Sequence, residues 1–286
     1  MNGIANVYKP AGISSSKAVS VVRRALGERR VGHMGTLDPM GEGVLLMGVG
    51  KCTRLFDRFL TKTKTYEASF KFGYETDTLD STGTITAETS EIPTMSDIIG
   101  GLSSFLGSQE QYPPAYSAKS VGGVRSYALA RKGIIAELAP SVVTINELRL
   151  VRETGENEYM FEVDCSSGTY IRSLCRDIAH SLGSLATMTY IKRTRCGNFF
   201  ADDAILPENM TPSDVIPAER VLSELPRVDA PSALYRKISD GVPVRIEGAP
   251  RGEFALYCDG ELFGIAADET GGVKICVYLK EDGNSK

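Results

Sequence analysis

GHMGTLDPMGEGVLLMGVGKCTRL, residues 32–55, changes character at its midpoint. Up to Gly43 it is glycine-rich with one proline, a composition that marks a loop rather than a regular element. From Val44 the run VLLMGVG predicts a buried strand, and CTRLFDRFL behind it predicts a short helix. Asp38 therefore stands in a glycine-rich loop immediately before an apolar strand. Glycines let the backbone approach a ligand closely, and Pro39 stiffens the turn that presents the carboxylate. On these residues alone an Asp–Pro turn is more often structural than catalytic, and both readings stay open. The GVGKCT end imitates a phosphate-binding loop, but Leu45 occupies the first glycine position of that motif and Cys52 its hydroxyl position. The match fails.

Upstream, IANVYKPAGISS reads as a short strand entering a Pro-Gly turn. The serines then cap an amphipathic helix, SKAVSVVRRALG, that Gly27 ends. Downstream, TKTYEASFKFG and EYMFEVDCSSG alternate as strands, and TYIRSLCRDIAHSLG reads as a helix. Between them lie the turn-rich TDTLDSTG, a helix near SDIIGGLSSFLG, and PPAYSAKSVGG. Prolines and acids cluster in LPENMTPSDVIPAERVLSELPRVDAP, which suggests the exit from a main domain. The β-rich pieces GEFALYCDG, ELFGIAADE and VKICVYL follow, separated by glycine turns, and look like a small β-barrel. Two domains are expected, at residues 1–226 and 227–286.

The length of 286 residues suits one large domain and one small one, and 42% hydrophobic with 24% charged residues is ordinary for a globular chain. No run of about 18 apolar residues is present to span a membrane, and the N-terminus lacks the apolar segment of a secretory signal, so a cytoplasmic protein is expected. The six cysteines are scattered without a C-x-x-C pair and are expected to be reduced and mostly buried. With only two histidines, His33 and His180, no metal site is expected. Net charge is −4, but residues 1–66 hold 11 Lys/Arg against 4 Asp/Glu, and residues 201–230 hold 2 against 7. A basic lobe can bind phosphates inside an acidic protein, because binding responds to the local field.

NVYKPAGISS, GHMGTLDPMGEGVL, KTYEASFKFG, PPAYSAKS, SSGTYIRSL and YIKRTRCGNF resemble, in this order, the motifs of TruB-type tRNA pseudouridine synthases. The resemblance spans about residues 4–200, and the β-rich C-terminus is more weakly similar to the family's PUA-like domain. It implies an α+β fold: a catalytic domain with a largely antiparallel central sheet, followed by a small PUA-like β-barrel that binds RNA. It implies an isomerase that converts uridine to pseudouridine at position 55 in the tRNA T-arm after flipping the base. No cofactor, no metal and no obligate protein partner are expected. The uracil is detached, turned and rejoined through carbon, with no redox change, and a carboxylate nucleophile suits that task.

By this resemblance Asp38 is the nucleophile. Tyr66 matches the tyrosine that stacks on the uracil and is placed for proton transfer. Tyr170 and Arg172 match residues that contact the flipped nucleotide and hold the nucleophile. His33 matches the histidine that enters the T-loop as the base swings out, and Ile191 falls where the family places an aliphatic residue at the pocket. Lys9 is expected to support the wall of the site and His180 to be structural. Lys17, Arg23, Arg24, Arg29 and Arg30 are candidates for phosphate contact. A T-arm binder that helps tRNA fold is the competing reading, compatible with the first.

Overall fold

The computed structural model describes residues 1–60, 62–117, 120–121, 124–125, 138–269 and 271–280. Within PPAYSAKS, Ala118 and Lys119 lie outside the described residues.

The run VLLM is apolar throughout because both faces of its strand are covered. Alternate side chains point to opposite faces of a sheet. Leu45 and Met47 join the larger core, whereas Val44 and Leu46 join a second core on the other side. The strand concerned, β3 (Glu42–Val49), lies inside a ten-stranded sheet. Across that sheet the order is β14 (Ile216–Pro217), β1 (Gly3–Lys9), β3, β12 (Ala186–Cys196), β4 (Lys64–Phe72), β11 (Glu158–Cys165), β10 (Ser141–Gly155) and β7 (Gly107–Gln111). Two short strands, β2 (Val31–His33) and β13 (Phe199–Phe200), pair with β3 and β12. Every pairing is antiparallel except β3 with β12. The sheet is largely antiparallel, as expected. Two small hairpins, β5 (Tyr74–Thr76) with β6 (Ile85–Glu88) and β8 (Ser120–Val121) with β9 (Val124–Arg125), stand apart from it.

Helix α1 (Ser15–Leu26) follows its sequence signals. The Ser14 hydroxyl accepts from the Lys17 amide at 3.1 Å, and Ala18, Val19, Val22 and Leu26 form the buried stripe. Gly27 ends it at φ +61°, a left-handed conformation that glycine adopts without the Cβ penalty. The CTRLFDRFL segment divides into a 3₁₀ turn, Gly50–Leu55, and α2 (Phe56–Leu60). Helix α3 (Met95–Gly101) begins with a Thr94–Asp97 capping box. Helix α4 (Ile171–Ser181) packs Ile171, Leu174, Cys175 and Ile178 into the larger core.

Three expectations need correction. Residues 31–43 are not wholly a loop, because Val31–His33 pairs with β3 and Val31 is buried there. Nor is the proline-rich stretch simply an exit. Ile216–Pro217 returns to form the sheet edge against β1, where a proline lacks no required ladder bond. Third, no closed barrel follows. The order is β15 (Arg227–Ala230), β16 (Glu253–Cys258), β17 (Glu261–Glu269), β18 (Gly272–Tyr278), and among the described residues no strand pairing joins β15 to β18. An isolated bridge, Val244 to Val273, adds to this ladder. Among the described residues β15 pairs only with β16, in parallel, and its Arg227 and Asp229 pair with each other at the surface.

The C-terminal sheet has a core of its own around Phe254, Leu256, Phe263 and Val273. Its other face brings Ala255, Tyr257, Leu262 and Ile265 onto the back of the main sheet. All six cysteines are free thiols, five buried and Cys276 exposed. Among the described residues no helix is long and apolar enough to cross a membrane.

Candidate active site

The Asp38 loop is fastened by the segment that precedes α1. Ser15 Oγ donates to the Leu37 carbonyl at 2.9 Å and accepts from the Leu37 amide at 3.0 Å. The Gly12 amide donates to the Pro39 carbonyl at 2.8 Å, and the Gly41 amide closes the turn onto the Asp38 carbonyl at 3.0 Å. Lys9 is fully buried, and its Nζ donates to the carbonyls of Ile13, Pro10 and Pro39 at 2.7, 2.9 and 3.3 Å. One ammonium thus ties the KPAGI turn to the DP turn. Beyond Asp38, Gly43 has φ +99°, and a Cβ there would lie 2.2 Å from the Arg193 carbonyl. The close parallel pairing of β3 with β12 at this point therefore requires glycine.

Burial pushes the Lys9 ammonium down to about 8, against the opposing pull of Asp38 and Glu42. Between about pH 8 and its ordinary 10.5, the unfolded chain keeps a proton that the folded chain has lost, so stability from this residue rises across that window. The stability difference between the wild type and Lys9→Met should therefore grow by roughly 3 kcal/mol from below pH 8 to above pH 10.5. Urea unfolding over this range measures it. A flat difference would show that the ammonium is not desolvated.

Asp38 keeps 36% of its side chain exposed, whereas the Arg172 side chain, which it meets, is 6% exposed. Arg172 Nε lies 2.9 Å from Asp38 Oδ2, and Nη2 donates to Oδ1 at 3.1 Å. The contact is bidentate and fixes the carboxylate plane. The rest of the guanidinium is held from behind. Nη1 donates to the Thr78 carbonyl at 2.8 Å and lies 3.7 Å from Asp80 Oδ2, while Nη2 also reaches the Tyr116 carbonyl at 3.0 Å. Asp80 is itself buried and accepts at Oδ1 from the Thr82 amide, the Thr82 hydroxyl and the Thr78 hydroxyl.

A cavity of about 320 Å³ opens beside Asp38, and its walls include Lys64, Tyr66, Tyr170, Arg172, Ile191 and Arg193. Five of the six candidate residues thus meet at one place. Tyr66 comes from β4, and burial pushes its phenol up to about 12, with Arg193 opposing the rise. Burial also raises Tyr170, whose backbone is clamped by the Gln111 side chain through bonds of 2.8 and 3.1 Å. The exception is His33, half-buried on β2 opposite Met47 and not part of the cavity wall. His180 lies elsewhere, 2.9 Å from Glu75. Among the described residues no group of three or more His, Cys, Asp and Glu gathers as a metal-ligand cluster.

The family profile described as TruB family pseudouridylate synthase (N terminal domain) matches residues 23–171. A tRNA pseudouridine synthase B from Thermosipho melanesiensis is 40% identical over 283 residues, covering 94% of this chain and 92% of that protein. The chain belongs to the TruB family. Another relative of that description, from Rickettsia akari, is 40% identical over 245 residues, covering 82% of this chain and 84% of its own. Among solved structures, a Cbf5–Nop10–Gar1 complex contains a chain that superposes with a TM-score of 0.69 at 22% identity, covering 97% of this chain and 84% of that one. That likeness shows the shared fold.

Sequence reading of this TruB-family chain missed Asp80, Gln111, Lys64 and Arg193. Each is buried, yet each looks like an ordinary polar residue of a turn or strand. For Lys64 and Arg193 a signal was present, since both fall inside motif segments already quoted, KTYEASF and YIKRTRC. Arg23 is also reassigned in part, because its Nε and Nη2 donate to the Val31 carbonyl at 3.2 and 2.7 Å. Lys17, Arg24, Arg29 and Arg30 are exposed.

Proposed function

We propose that this chain isomerises uridine to pseudouridine at position 55 in the T-arm of tRNA, with Asp38 as nucleophile. The observation that carries the reading is a partly exposed carboxylate, gripped by a buried arginine, at the mouth of a cavity walled by Tyr66 and Ile191. The bidentate arginine fixes the plane of the carboxylate that acts as nucleophile. Asp38 assists departure of uracil from the ribose. Tyr66 and Ile191 hold the freed base while it turns, and Tyr66 accepts the proton that C5 loses after rejoining. Tyr170 and Arg172 contact the flipped nucleotide. The chemistry needs no external reductant, oxidant or group donor.

Residues 1–226 form the catalytic domain of this scheme, and residues 227–286 a PUA-like module that adds RNA contact. The separate core around Phe254 and Phe263 supports that division. The exposed Lys17, Arg24, Arg29 and Arg30 lie where the basic lobe was expected and supply phosphate contacts. Incubating the protein with an unmodified tRNA transcript and mapping pseudouridine tests the reading. Modification confined to the T-arm uridine is expected. Modification elsewhere, or none, would overturn it.

In this scheme His33 fills the stack vacated by the flipped base, from a position five residues ahead of Asp38 in the chain and outside the cavity wall. Unstacking costs a few kcal/mol, so a filling side chain should matter most for fully folded RNA. His33→Ala should slow single-turnover modification of intact tRNA more than that of a T-loop fragment with a loosely held base. Equal slowing of both would leave His33 a structural support of the loop.

A further inference from the structure

Arg193 is the largest fully buried cationic side chain of the described residues, 2% exposed, and no carboxylate pairs with it among them. An arginine cannot shed its proton, so its charge persists in the interior and acts on whatever lies beside it. What lies beside it is set by the sheet. In the β4–β12 ladder Arg193 stands directly opposite Tyr66, and paired residues in an antiparallel ladder have Cβ atoms about 5 Å apart on one face. Both residues line the cavity next to Asp38. The guanidinium is immobilised from the far side, where Nε donates to the Val44 carbonyl at 2.7 Å and Nη2 to the Gly35 carbonyl at 3.3 Å.

We propose that Arg193 is a positioning residue that makes Tyr66 an effective proton acceptor, by stabilising the Tyr66 phenolate when C5 of the rejoined uracil releases its proton. This rests on the function proposed above. The step balances without another reactant. The Tyr66 phenol first releases its proton to water, and its oxygen then takes the proton from C5. The C–H electron pair forms the C5–C6 double bond, and the former C6–N1 π pair moves to N1, which takes a proton from water. A phenol buried as Tyr66 is would resist ionisation, and the Arg193 charge is the main influence against that resistance. The other groups facing it are Cys165 on β11 and Cys196 at the end of β12, which act in the opposite direction. Lys64 and Asp38 line the same cavity, and the Lys64 ammonium donates to the Lys62 carbonyl at 2.6 Å.

The test replaces Tyr66 by difluorotyrosine, whose more acidic phenol titrates in a convenient range, and follows it by fluorine NMR in the full chain. Arg193→Met should raise the titration midpoint by at least about one pH unit, a tenfold change in acidity. Arg193→Lys, which keeps the charge, should raise it less. If Arg193→Met does not fold, Arg193→Gln, which also removes the charge, is judged by the same shift against the wild type. In the natural-tyrosine background Arg193→Met should slow single-turnover pseudouridine formation at least about tenfold, and it should cost nothing further once Tyr66→Phe is present. An unmoved midpoint, or an additive loss in the double variant, would overturn the proposal. A wild-type chain that makes no pseudouridine would overturn the function reading itself, and the midpoint would still report separately whether the two side chains are coupled.

Discussion

Asp38→Asn should abolish pseudouridine formation, lowering the single-turnover rate by at least about four orders of magnitude. Asparagine keeps the shape of the side chain, and the backbone bonds around it do not involve the carboxylate. The Asp38 carbonyl still receives the Gly41 amide, and Leu37 and Pro39 stay clamped by Ser15, Gly12 and Lys9. The loop should therefore fold as before, and affinity for the tRNA should change by less than about tenfold, or 1.4 kcal/mol. What disappears is the anion. An amide cannot attack or stabilise a ribose carbon during departure of the base, and it offers Arg172 one oxygen where the carboxylate offers two. Pre-steady-state mapping of pseudouridine and filter binding on the same RNA separate the two quantities. A variant that keeps a substantial fraction of the rate would remove Asp38 from the chemistry. Loss of binding together with rate would mean that the loop had collapsed.

The parts of the fold that were legible in the sequence are those whose signals are local. The Ser14 cap, the buried stripe of α1 and the left-handed Gly27 are all written within one segment. The strands β3, β4 and β11 were visible as apolar or alternating runs. Pairings of two or three residues left no such trace. Neither Val31–His33 nor Ile216–Pro217 is long enough to show a period, and each becomes a strand only because a neighbour's edge needs partners. The open C-terminal sheet is a case of the same limit, since glycine-punctuated strands look alike whether or not their sheet closes. The Asp38 loop was legible as a loop, but its anchor was not. That Lys9 is a buried staple between two turns depends on chain segments thirty residues apart. Arg172 on its helix has the look of a solvated charge. Asp80 has the look of a turn residue. Tertiary packing alone buries them together.

That burial divides the consequences of losing Arg172. Its two acidic partners differ in their access to water: the Asp38 side chain is 36% exposed and that of Asp80 is 7% exposed. When the guanidinium is removed, Asp38 can rehydrate, whereas Asp80 keeps only its Thr78 and Thr82 donors and no cation among the described residues. Removing one partner of a buried pair costs about 3–5 kcal/mol, chiefly through the charge left behind. Arg172→Met should therefore lower the unfolding free energy by about 3 kcal/mol, with Asp80 as the source. It should also slow turnover at least about a hundredfold, with Asp38 as the source, because the proposed nucleophile loses its bidentate holder. The two losses should separate in a second step. Adding Asp80→Asn to Arg172→Met removes the stranded charge but leaves the Thr78 and Thr82 hydroxyls a partner, so most of the stability should return while the rate stays low. Arg172→Lys should fall between the two, since a single ammonium can meet one carboxylate but cannot span Asp38, Thr78 and Tyr116 together. Urea unfolding and single-turnover kinetics on the three variants read both quantities. Recovery of rate along with stability in the double variant would show that Arg172 serves only to support the fold.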